Sequence, residues 1–183
     1  MSDLFDDESL AVLERRIDEW LARMMSSGRT STGAISEVAT SEVATTDVAI
    51  SDAATSNIVA IDHAEPDPAY RARWYVRMKG ESKDFITVWV TLGQRTLRYE
   101  TYVMPAPEEN VEVFNEHLLR RNDALIGAHF SIGDEDAVFL RGDLPLSGLT
   151  ESELDRIIGS MYAYTEQAFR PLLYIGFASR FAG

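Results

Sequence analysis

The stretch RARWYVRMKGESKDFITVWVTLGQRTLRYETYVM, residues 71–104, decides the fold class. Three runs rich in Val, Thr, Tyr, Phe and Trp, at Arg71 to Lys79, Phe85 to Leu92 and Arg95 to Val103, are separated by short Gly-containing loops. This pattern reads as three consecutive antiparallel strands. Within each run the apolar residues recur at every second position, as expected of a sheet with one buried side. Trp74, Val76, Met78, Ile86, Val88, Val90, Leu97, Tyr99 and Val103 form the expected core face. The opposite parity collects Arg73, Tyr75, Arg77, Phe85, Trp89, Arg98 and Tyr102.

Loop chemistry suggests the register. Glycine first in a two-residue Gly93-Gln94 turn would be type II′, pairing Leu92 with Arg95, Trp89 with Arg98 and Phe85 with Tyr102. A five-residue loop, Gly80 to Asp84, would set Tyr75 opposite Trp89. Trp89 over Arg98 is then a candidate cation–π pair, worth about 0.5–1 kcal/mol if exposed. Rings mixed with guanidinium groups are the composition of interface hot spots, so these seven residues form the candidate partner-binding surface. The competing reading is a solvated face on which long side chains cover one another.

Working outward, Leu10, Leu13, Ile17, Trp20, Leu21 and Met24 recur at three- and four-residue steps between Asp7 and Met25, predicting an amphipathic helix ended by Ser26-Ser27-Gly28. Five imperfect pentapeptides follow from Ser36 to Ala60: SEVAT, SEVAT, TDVAI, SDAAT and SNIVA. A five-residue step advances about 140° on a helix and alternates faces on a strand, so the repeat cannot build an apolar side of its own. Residues 26–56 therefore read as an acidic low-complexity linker, with Asn57 to Ile61 available as a short strand. On the C-terminal side, Pro107 is placed at the start of a helix, with Glu108 and Glu109 in its first turn and Arg120 and Arg121 in its last. Its expected buried stripe is Val111, Phe114 and Leu118. Strands at Ala128 to Ile132 and Ala137 to Arg141 flank a Gly133 to Asp136 turn. Thr150 with Glu153 opens a last helix with stripe Leu154, Ile157, Ile158, Met161 and Phe169, which Pro171 should kink or restart.

The chain's 183 residues suffice for one sizeable core. Without cysteine it can form no disulfide and has no thiol nucleophile. An acidic N-terminus argues against a presequence, and no apolar run approaches the roughly 20 residues that span a bilayer. A cytoplasmic, soluble protein is expected. The net charge of −13 disfavours nonspecific nucleic-acid binding, although residues 69–107 carry seven Lys or Arg against three Asp or Glu. His63, His117 and His129 have no metal-ligand spacing. The Asp134-Glu135-Asp136 triplet lacks the alternating ligands of a calcium loop and reads as a solvated turn. Arg141-Gly142-Asp143 matches an adhesion tripeptide but lacks an export signal. Neither GxGxxG nor a phosphate loop occurs. No cofactor, metal or catalytic residue is assigned.

RWYVRMKGESKDFITVWVTLGQRTLRYETYVMP (73–105), EENVEVFNEHLLRRN (108–122) and IGAHFSIGDEDAVFLRGDLPLSGLTESELDRII (126–158) together resemble the YbjN-like family, often described as sensory-transduction regulators. The resemblance covers residues 71–178 and more loosely the first helix. It implies the fold of type III secretion chaperones and non-enzymatic peptide or protein binding, commonly as a dimer. It assigns no ligand residue. The pentapeptide insert departs from the compact connection that the resemblance implies.

The expectation is thus an α+β domain of about five antiparallel strands in the order α-β-β-β-α-β-β-α. Its parts are an N-terminal helix (1–25), an acidic linker (26–56) and a chaperone-like domain (57–183). The expected activity is non-enzymatic peptide or protein binding, chaperone-like or adaptor-like. The alternatives are a binder of an anionic small molecule or single-stranded nucleic acid through the arginine-aromatic face, and an enzyme with an unrecognised site around His129.

Overall fold

The computed structural model of the chain describes residues 5–30 and 54–181. Most of the linker, residues 31–53, lies outside them. Helix α1 spans Asp7–Thr30 and so runs past the Ser26-Ser27-Gly28 expected to end it. The side chain of Asp6 caps it, accepting from the Ser9 amide at 2.8 Å. The six residues of the predicted stripe, Leu10 to Met24, are all buried.

Four strands follow: β1 (Ile58–His63), β2 (Ala72–Lys79), β3 (Phe85–Leu92) and β4 (Thr96–Met104). Helix α2 (Val111–Asn122) leads to β5 (His129–Ile132) and β6 (Val138–Pro145), and α3 (Glu151–Gly176) closes the fold. The six strands form one antiparallel sheet in the order β1-β2-β3-β4-β6-β5. The sheet thus has one strand more than the five expected, because the tail of the pentapeptide region pairs with β2 as an edge strand. Residues 54–56, read from the sequence as the end of the linker, are helical, and Ala54 is fully buried.

The helices share one side of the sheet. All nine residues of the predicted core face are buried there, with Val76, Met78, Ile86, Val88, Val90 and Leu97 at 0 % exposure. Trp74 fastens α1 to this side: its indole Nε1 donates to the Asp18 carboxylate at 2.6 Å, and His63 meets its ring edge-on at 5.3 Å. Ion pairs from Arg71, just before β2, to Glu14 and from Arg23 to Glu151 tie α1 to the start of β2 and to α3.

Two expectations near the prolines are corrected. Helix α2 starts at Val111, not Pro107, after Asn110 in the left-handed region (φ 53°). The amides of Glu108 and Glu109 instead donate to the Gly176 carbonyl at 2.9 and 3.1 Å, so these residues cap the far end of α3. Val111 is accordingly exposed, while Phe114 and Leu118 are buried. Pro171 does not restart the helix, because α3 is continuous through it. A proline leaves the carbonyl four residues back without its helical donor, here that of Gln167. Arg121 Nη2 of α2 donates to that oxygen at 3.0 Å, which compensates the break. At the other end the Thr150 hydroxyl accepts from the Glu153 amide at 3.2 Å, as its capping signature predicts, and Leu154, Ile157, Ile158 and Met161 are buried. Phe169 is only partly buried against the core.

Candidate functional site

The sheet face opposite the helices is where the seven predicted residues lie. On β2 the burial alternates so that Arg73, Tyr75 and Arg77 point away from the core; Phe85 and Trp89 do so on β3, and Arg98 and Tyr102 on β4. The five-residue Gly80 to Asp84 loop sets Lys79 opposite Phe85 and Tyr75 opposite Trp89, as its length predicts. A Cβ on Gly80 would lie 2.1 Å from the Lys83 carbonyl oxygen and 2.3 Å from Glu166, so the loop closes this tightly only with glycine there.

The β3–β4 register differs from the expectation. The Gly93 amide donates to the Thr96 carbonyl at 3.0 Å, closing a four-residue loop that pairs Leu92 with Leu97 rather than with Arg95. Trp89 therefore faces Glu100, and Arg98 faces Thr91. The displacement is two residues, an even number, so every side chain keeps its face while exchanging its partner. The expected Trp89–Arg98 pair is replaced: Arg73 lies over Trp89 at 5.9 Å and over Tyr70 at 4.3 Å, and Arg77 over Phe85 at 4.1 Å. Tyr75 and Trp89 meet edge to face at 6.1 Å, a geometry that aromatic pairs favour.

The open face is wider than the seven residues. Successive pairings carry one row across all six strands: Asp62, Tyr75, Trp89, Glu100, Arg141 and His129. Arg141 Nε donates to Glu100 at 2.8 Å, and its guanidinium lies 4.3 Å from the Phe139 ring centre. Phe139 in turn meets Tyr102 edge-on at 5.7 Å. Arg98 approaches Asp143 at 3.9 Å. Sequence reasoning missed Glu100, Phe139, Arg141 and Asp143. Their alternation was visible, but nothing local says that β6 returns to pair with β4.

These acids change the electrostatics of the face. Arg98 and Arg141 each have a carboxylate partner, whereas among the described residues none lies within ion-pairing distance of Arg73 or Arg77. The unbalanced positive charge is therefore confined to β2, where it rests on aromatic rings. Tyr102 is pushed above the ordinary phenol range by partial desolvation and then by Glu135, so its hydroxyl stays protonated.

The histidines do not converge. His63 is on β1, His117 on α2 and His129 on β5, and among the described residues no group of three His, Asp or Glu could hold a metal ion. His117 accepts from Arg121 Nε at 3.2 Å. Desolvation, and then the Arg121 charge, hold its pKa below the usual histidine value. No helix among the described residues is long and apolar enough to cross a membrane.

Among known proteins, residues 46–173 match the sequence profile of a family described as "YbjN: Putative bacterial sensory transduction regulator". An uncharacterized protein of Mycobacterium tuberculosis strain H37Rv is 33% identical over 104 residues, 57% of each chain, and one from Mycobacterium bovis matches equally. A Mycobacterium leprae counterpart is 28% identical over 107 residues, 58% of each chain. The matched region thus spans about 57% of the length of these relatives. The family match covers well over half of the chain and includes every strand of the sheet, so the chain belongs to the YbjN family.

Proposed function

We propose that this chain is a non-enzymatic regulatory adaptor that binds an extended segment of a partner protein on its open sheet face. The observation that carries the reading is that the helices stand on one side of a six-stranded sheet, leaving Tyr75, Trp89, Phe85 and Tyr102 interleaved with Arg73 and Arg77 on the other. Interior strands have spent their backbone groups on each other, so recognition there runs through side chains. Flat rings supply contact area at little entropic cost, and the two arginines without carboxylate partners select acidic residues. The segment that fits carries one or two Asp or Glu beside apolar or aromatic residues. The family's regulatory description and the chaperone-like fold implied by the resemblance agree with such a role.

Nucleic acid is disfavoured on the same surface. Two of its arginines already pair with acids, and the net charge of −13 repels a phosphate chain.

The test is selection of peptides from a random display library on the purified protein, followed by affinity measurement on variants. Trp89→Ala and Arg73→Ala should each weaken the selected peptides at least about tenfold, since hot-spot truncations cost about 2 kcal/mol or more. Thermal unfolding should hardly move. Selected peptides that bind Trp89→Ala as tightly as the parent would remove this surface from consideration.

A further inference from the structure

A second feature lies at the end of the sheet, where β4 meets the last turns of α3. A cavity of about 380 Å³ is lined by Tyr102, Val103, Met104, Phe169, Leu173 and Phe177, with Lys83 and Arg180 as its charged members. Among the described residues no carboxylate side chain lines it. Arg180 is already engaged, its Nε donating to Glu108 at 3.0 Å.

Lys83 is not. Its ammonium donates to the Tyr102 carbonyl and lies 5.0 Å from the Tyr102 ring centre and 6.0 Å from that of Phe169. Among the described residues no carboxylate comes within ion-pairing distance of it. Glu166, the nearest acid in effect, is spent on the loop backbone, accepting from the Ser82 amide at 2.6 Å and the Lys83 amide at 3.4 Å. A partly buried cation with rings below it and no carboxylate in direct contact is poised for an anion.

We propose that this cavity binds a small apolar carboxylate, its tail among Met104, Leu173 and Phe177 and its carboxylate on the Lys83 ammonium. A cavity of about 150 Å³ holds benzene, so this one takes about ten to fifteen non-hydrogen atoms, the size of a medium-chain fatty acid or an aryl-alkanoic acid. The electrostatics agree. Burial lowers the Lys83 pKa from 10.5 to about 8, with Glu166 opposing the shift, so the amine is mostly protonated at neutral pH and loses its charge just above. Of the other groups facing it, Tyr102 stays neutral and Arg180 keeps Glu108 as its partner.

The experiment is titration with octanoate, and with 1-octanol as the uncharged control, followed by the Met104 methyl resonance, assigned through Met104→Leu. Octanoate should shift that signal saturably and bind at least about fivefold tighter than octanol, with the preference lost between pH 7 and pH 9.5. Lys83→Met, which removes an unpaired cation and should fold, is expected to make the two probes equal. Leu173→Trp, which fills the chamber, should abolish binding of both. The proposal fails if the parent shows no saturable shift at millimolar octanoate, if octanol binds equally well to it, or if Lys83→Met keeps the preference. Trp89→Ala should bind octanoate normally, which separates this site from the sheet-face reading.

Discussion

The hydroxyl of Thr101 is buried between β3 and β6 and finds no hydrogen-bond partner among the described residues. An unsatisfied buried hydroxyl costs about 1–3 kcal/mol, and valine has nearly the same shape without it. Thr101→Val should therefore raise the free energy of unfolding by about 1 kcal/mol, read from urea denaturation at unchanged m-value. His117 makes a prediction of the opposite kind. Its folded pKa is depressed, so below the ordinary value near 6.5 the unfolded chain takes up a proton that the folded chain resists. Stability from this residue is full above that pH and declines as the pH falls from there toward the folded pKa. His117→Gln should flatten the stability profile between pH 5 and 7. The carboxylates of Asp6, Glu109 and Glu151, held low by their hydrogen bonds, should leave the remaining decline at more acidic pH.

At the scale of elements, α1 is joined to the sheet by an indole–carboxylate bond as well as by its apolar stripe. Trp74→Phe keeps most of the buried area and removes the donor to Asp18. It should cost about 1.5–3 kcal/mol, the range for hydrogen bonds to charged groups, and speed amide exchange in α1 before the strands. The stripe itself was legible in the sequence because Leu10 to Met24 repeat with the helical period, and the strands because Trp74 to Val103 alternate. Less legible were features set by distant partners. Pro107 looks like a helix start until the C-terminus of α3 is seen to need the Glu108 and Glu109 amides. Pro171 looks like a break until Arg121 is seen to reach the Gln167 carbonyl. A local turn rule cannot choose between a two-residue and a four-residue loop beginning at Gly93, yet both choices leave Trp89 and Arg98 on the same face. The face was therefore readable when the pairing was not. The widening of that face by Glu100, Phe139, Arg141 and Asp143 depended on β6 entering the sheet between β4 and β5, a non-local event without local sequence signal.

In the whole molecule the two sides of the sheet divide the labour. One is consumed by the core with α1, α2 and α3; the other carries rings and arginines and, among the described residues, leaves Arg73, Arg77 and Lys79 of β2 without acidic partners. The chain's three tryptophans fall on both sides of this division. Trp20 and Trp74 are 5 % and 2 % exposed, beneath or within the helical layer, whereas Trp89 stands on the open face beside Tyr75. Three indole N–H signals therefore report the two sides separately in one nitrogen–proton correlation spectrum, with Trp89 assigned through Trp89→Phe. On titration with an acidic, aromatic peptide selected on the protein, the Trp89 signal should move progressively while those of Trp20 and Trp74 stay in place. A Trp89 signal that holds still while the peptide saturates would contradict the assignment of binding to the open sheet face.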